Sequence, residues 1–77
     1  MDDTKEKIRE VSIYTLNWFV QYWINKKKCE KCRLLAFDTT FKNWCALDNR
    51  TNDCLMEHFK TRQEAIDWLN NEIEKAD

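Results

Sequence analysis

The 77 residues carry 13 Lys/Arg against 14 Asp/Glu, a formal charge of -1. This describes one small domain, residues 1–77, without the basic excess of a general polyanion-binding protein. A chain this short buries only about 60% of the surface its unfolded form exposes, so its core is thin. Four Trp, four Phe and two Tyr supply much of that core.

The charge is unevenly spread. Residues 1–33 hold eight Lys/Arg and five Asp/Glu, whereas residues 34–77 hold five and nine, so the two parts stand at +3 and -4. The opening MDDTKEKIRE is charged where a signal peptide has its apolar segment. No apolar run approaches the roughly 20 residues of a membrane span. A cytoplasmic protein is therefore expected, with its four cysteines reduced or metal-bound rather than paired.

In chain order, the first patterned segment is Tyr14 to Ile24. Its even positions Tyr14, Leu16, Trp18, Val20, Tyr22 and Ile24 are all apolar, and its odd positions Thr15, Asn17 and Gln21 are polar. This alternation predicts a long strand after a short polar or helical N-terminal arm, with one helix from Thr4 to Lys27 as the alternative. Phe19 and Trp23 break the alternation. On a strand they point away from the even stripe, about 13 Å apart at roughly 3.3 Å per residue.

Three short β-rich runs follow, CRLLAFD from Cys32, FKNWCALD from Phe41 and CLMEHF from Cys54, separated by TT and by the turn-forming NRTND. Thr61 with Glu64 three residues later forms a capping box. Ala65, Ile66, Leu69 and Ile73 then share one helical face, with Trp68 to its side. The fold class expected is α+β: an antiparallel meander of three or four strands with one C-terminal helix on one face, and possibly a short N-terminal helix. One helix leaves the second sheet face, with Phe19 and Trp23, to be covered by the N-terminal arm, by a partner or by a homodimer.

Between the first strand and the next lies KKKCEKCR, Lys26 to Arg33, read as a charged hairpin tip across which Cys29 and Cys32 face each other. The cysteine spacing is C-x2-C-x12-C-x8-C over Cys29, Cys32, Cys45 and Cys54. A structural zinc site is most easily built from two C-x-x-C knuckles, and only one is present, without glycine in its turn. The favoured reading makes the cysteines small buried or hairpin residues with no cofactor. Zinc held by those four is the alternative, and His58 is too far along a strand from Cys54 to share an ion with it. Thiol exchange lacks the helix N-terminus that activates its nucleophile.

Lys26, Lys27, Lys28, Lys31 and Arg33 beside Phe19, Tyr22 and Trp23 also suit single-stranded nucleic acid, which binds through cations and stacked rings. The acidic C-terminal half limits such contact to a local one. Nothing supports catalysis. His58 is the one histidine, no serine lies near it, no glycine loop exists, and Asp48 and Asp53 at the NRTND turn read as caps for backbone groups. The surplus rings beside separated charge favour protein binding, with Phe19 and Trp23 as apolar anchors and Lys26, Lys27, Lys28, Lys31 and Arg33 as charge partners.

The stretch WCALDNRTNDCLMEHFKTRQEAIDWLN, with Glu57-x-Phe59-x-Thr61 leading into Glu64-Ala65-Ile66-x-Trp68-Leu69, is similar to the hairpin-plus-helix ending of small proteins carried by phages and prophages of Gram-positive bacteria. Anti-CRISPR proteins are among these. The resemblance implies a compact, non-catalytic inhibitor that disables a host nuclease or defence complex by binding it in the host cytosol. It transfers no site residues.

Overall fold

In a computed structural model of the chain, residues 7–26 and 30–71 are described. The elements run β1 (Ile8–Glu10), α1 (Ile13–Lys26), β2 (Arg33–Asp38), β3 (Asn43–Asp48), β4 (Leu55–Phe59) and α2 (Arg62–Asn70). The class is α+β as expected, but two of its details are corrected. The four-stranded sheet, in order β1-β2-β3-β4, is mixed: β1 pairs parallel with β2, and only β2-β3 and β3-β4 are antiparallel. Among the described residues, two helices rather than one C-terminal helix cover it.

The segment read as the first strand is α1. Ile13, Leu16, Phe19, Val20 and Trp23 recur at helical spacing on one face, where Leu16 and Phe19 are buried and Ile13 and Val20 pack beside them. Ser12 caps the helix, its Oγ accepting from Thr15 N at 3.1 Å, while Leu16 N donates to Ser12 O. The helix therefore starts well after Thr4, and the N-terminal segment before it contributes a strand. Because α1 connects two parallel strands, it must cross over the sheet. It fills the face that a single helix would have left to the N-terminal arm, a partner or a homodimer, packing chiefly on β2.

The sheet consequently has two cores. Under α1 lie Cys32, Leu34, Ala36, Cys45 and Leu47; on the other face Leu35 and Ala46 meet Ala65 and Leu69 of α2. β2 is buried at Leu34, Leu35 and Ala36 in succession, the continuous apolar run of a strand covered on both sides. Toward α2, Phe59 and Trp68 meet at a ring separation of 5.9 Å. The capping box of α2 forms as its sequence predicts: Thr61 Oγ1 accepts from Glu64 N, and Glu64 Oε1 accepts from Thr61 N. Ile73 lies outside the described residues.

Polar groups close the far end of α2. Asp48, 3% exposed, is gripped by Arg50, whose Nη2 donates to Asp48 Oδ2 at 2.7 Å and also reaches the carbonyls of Leu69 and Asn71. Arg33 Nη1 donates to Leu69 O at 2.9 Å. α2 has no basic residue in its own last turn, so these two arginines supply the positive charge that its C-terminal dipole and unpaired carbonyls favour.

Asn49 is fully buried and joins three segments. Its Nδ2 donates to Glu30 O at 3.0 Å, its Oδ1 accepts from Cys54 N at 2.9 Å, and its backbone N donates to Cys32 O at 2.8 Å. With no glycine in the chain, the left-handed turn positions fall to Lys42, Asn52 and Cys54, at φ 57°, 64° and 50°. Lys42 bears the Cβ strain of that conformation.

Asn49→Ala leaves a part-buried carbonyl and a part-buried amide without their partner and is expected to lower stability by roughly 1–3 kcal/mol in urea titration. Lys42→Gly relieves the left-handed strain and is expected to raise the urea midpoint, by about 0.5–1 kcal/mol of stability.

Candidate functional site

α1 carries two apolar stripes. Opposite the buried one, Tyr14, Trp18 and Tyr22 follow at i, i+4 and i+8 and stand 78%, 62% and 42% exposed. Trp18 and Tyr22 lean together with ring centroids 5.2 Å apart. Asn17, Gln21 and Asn25 flank the rings, and Lys26 is the only charged residue in the helix. A solvated helix face ordinarily carries charged residues. This one is an aromatic ridge among neutral amides.

The residues named from sequence as apolar anchors lie elsewhere. Phe19 is 8% exposed, in the core beneath α1. Trp23 is half-buried, and its Nε1 donates to Asn52 O at 3.2 Å, pinning α1 to the turn between β3 and β4. On a strand both would have faced outward; helical geometry turns them inward and brings out the even-numbered rings instead. The spacing 14, 18, 22 was the signal that would have revealed the ridge.

The basic run is divided by the fold. It does not form a hairpin tip, because it joins helix α1 to strand β2. Lys26 ends α1 and is exposed, as is Lys31, while Arg33 is half-buried against the end of α2. Lys27, Lys28 and Cys29 lie outside the described residues. Glu30 pairs with Arg9 at 3.2 Å, a surface contact worth little to stability.

The described cysteines Cys32, Cys45 and Cys54 do not gather. Cys32 precedes β2 and lies opposite Asn49, and Cys54 precedes β4 and binds the same asparagine, whereas Cys45 sits four residues along β3, about 13 Å away. The four-cysteine zinc set is thus not assembled at these three positions. Among the described residues, the only cluster of three or more metal-ligating groups is Asp38, Cys45 and His58, whose ligand atoms all lie within 4.8 Å of one another. Register explains the cluster: Cys45 pairs with His58, and Asp38 pairs with Asn43 on the same face. Neither Asp38 nor a shared site with His58 is visible in the sequence, because the β3-β4 register that joins Cys45 to His58 is set only by the fold.

Burial first, and the charge of Asp38 second, push the Cys45 thiol above its ordinary value of 9.0. A nucleophilic cysteine needs the opposite, a lowered pKa and access, and Cys45 is 2% exposed. Asp48 caps the turn backbone as expected, its Oδ1 accepting from Arg50 N at 3.0 Å, whereas Asp53 Oδ2 accepts from the side-chain Oγ1 of Thr51 at 2.8 Å.

No family model matches the chain, and no curated protein or solved structure matches it. Among the described residues, no helix is long and apolar enough to cross a membrane.

The raised thiol pKa carries a stability consequence. The folded chain keeps the Cys45 proton to higher pH than the unfolded chain does, so this contribution is complete below about pH 9 and is lost as pH rises through the folded pKa. In chelator-containing buffer, Cys45→Ala removes that alkaline loss. The stability gap between wild type and variant is therefore expected to narrow from about pH 8 to about pH 10 in thermal melts. A gap that stays constant would contradict the burial of this thiol.

Proposed function

We propose that this chain is a small, non-catalytic protein-binding module that docks through the outward face of α1. The observation carrying this reading is the ridge of Tyr14, Trp18 and Tyr22, which lies opposite the buried stripe and so contributes little to the core. Its i, i+4, i+8 spacing is that of an amphipathic helix laying its anchors into a groove of another protein. Large rigid rings are enriched among the residues that dominate binding energy. Lys26 and Lys31, near the C-terminal end of the ridge, supply charge that steers a partner without setting most of the affinity.

Single-stranded nucleic acid is the less well supported occupant. Stacking sites interleave rings with cations, and the described part of α1 has one cation against three exposed rings. The narrower reading, an inhibitor carried by a phage or other mobile element that occupies a host nuclease or defence complex in the cytoplasm, draws on the resemblance of the Trp44 to Asn70 stretch. It directs the choice of bait and lysate.

Affinity capture from Gram-positive host lysate, followed by calorimetry on the captured protein, tests the docking face. Trp18→Ala is expected to leave the melting temperature nearly unchanged and to weaken binding about 30-fold, as loss of an anchor worth roughly 2 kcal/mol does. Lys26→Glu is expected to slow association and to reduce its salt dependence modestly. Capture that is indifferent to Trp18→Ala and Tyr22→Ala would overturn the docking face. Concentration-dependent sedimentation abolished by the same variants would identify a second copy of the chain as the occupant.

A further inference from the structure

The geometry points to a binding site for a divalent transition metal of the zinc class at Asp38, Cys45 and His58, with three protein ligands and a fourth position open to solvent. Convergence is built into the sheet. His58 on edge strand β4 stands directly opposite Cys45 on central strand β3, about 4.8 Å away. Asp38 ends β2 opposite Asn43, two residues along β3 on the same face, and its carboxylate reaches diagonally toward the thiol.

The ligand atoms, all within 4.8 Å of one another, need little movement. Zinc bonds of about 2.3 Å to sulfur and about 2.0 Å to nitrogen or oxygen, at tetrahedral angles, place ligand atoms about 3.5 Å apart. No pair therefore has to draw in by more than about 1.3 Å. Exposed His58 has the freedom to make that adjustment. Asp38 is held in place because its Oδ1 accepts from Thr40 N at 2.9 Å and Phe41 N at 3.2 Å, and a carboxylate has a second oxygen to offer a metal.

The donor set selects the metal. One sulfur, one nitrogen and one oxygen suit zinc and its neighbours, whereas calcium and magnesium take oxygen ligands. The charges also balance: a dication between a thiolate and a carboxylate, with a neutral imidazole, leaves no net charge beside the core. As the metal-sulfur bond forms, the Cys45 S–H bond breaks and its proton passes to solvent, with no change of oxidation state.

A second observation falls at the same place. Asn43 Oδ1 is buried and has no hydrogen-bond partner among the described residues. Asn43 lies on the same face of the sheet, opposite Asp38 and two residues from Cys45. A buried oxygen left without a donor calls for explanation, and a metal-bound water in the fourth position would supply one. Solvent reaches the site past edge strand β4, where Met56 and His58 are exposed on the α1 side of the sheet.

The test is titration of the full, reduced chain with Co2+, read by the near-ultraviolet charge-transfer band of a cobalt-thiolate bond. One equivalent is expected to bind and to be displaced by Zn2+. Exposed His58 can be replaced without disturbing the core, and His58→Ala is expected to weaken Co2+ binding at least about tenfold while the far-ultraviolet spectrum is unchanged. Asp38→Asn is expected to weaken it as well, Cys45→Ala to abolish the thiolate band, and Cys32→Ser to leave it intact. Absence of the band in wild type overturns the site. A band lost in Cys32→Ser but kept in His58→Ala also overturns it, by assigning the metal to the C-x-x-C pair.

Discussion

The fold hangs on one buried amide. Asn49 closes the end of β3, receives the backbone of Cys54 as the chain enters β4, and reaches back to Glu30 in the connection from α1. Asn49 itself is fully buried, so leaving either group of its amide unpaired is costly. Without glycine or proline to set its turns, the chain fixes them by side-chain hydrogen bonds: Asn49 at this turn, and Asp38 at the turn before β3, where it accepts from Thr40 and Phe41. The neighbouring Asp48 and Arg50 carry the same economy into tertiary structure, since Arg50 that neutralises a buried carboxylate also satisfies the last carbonyls of α2.

Once the turn is held, the sheet is committed to cover on both faces. α2 takes one face through Ala65 and Leu69; α1 takes the other through Leu16 and Phe19, bolted down by Trp23 to Asn52. A helix on a sheet buries only one side, so everything apolar on the opposite side of α1 stays in water. The ridge of rings is therefore not spare core material. The same geometry leaves part of the sheet bare, because α1 lies over β2 and does not extend to Met56 and His58 on β4.

The C-terminal two-thirds was legible because its signals are local. Strands from Arg33, Asn43 and Leu55 and the capping box at Thr61 follow from short apolar runs, turn residues and a three-residue spacing. The pattern of α1 resembles a strand for a physical reason. A helix with two apolar stripes, Ile13-Leu16-Phe19-Val20-Trp23 inward and Tyr14-Trp18-Tyr22 outward, superposes two helical periods into a pattern that imitates period-two alternation. The continuous runs LLA and CAL did carry the missing clue, since strands apolar at every position are covered on both sides. β1, three residues long and paired parallel across a helix, has no signature of its own. Nor does the Asp38, Cys45 and His58 cluster, which depends on the registers of β2, β3 and β4 together.

The topology also divides the molecule by how far apart in sequence its contacts lie. β2, β3, β4 and α2 are consecutive neighbours joined by short turns, the low-contact-order arrangement that forms fast and locally. α1 and β1 attach across a crossover, through fewer contacts made at longer range. Such an element is the natural unit of sub-global opening, with amide exchange faster than that of the meander beneath it. The helix that presents the aromatic ridge is thus also the one that can lift from the sheet. When it does, Leu34 and Ala36 on the inner face of β2 lose their cover, so the exchange of α1 amides and the exposure of that strand are two readings of one motion.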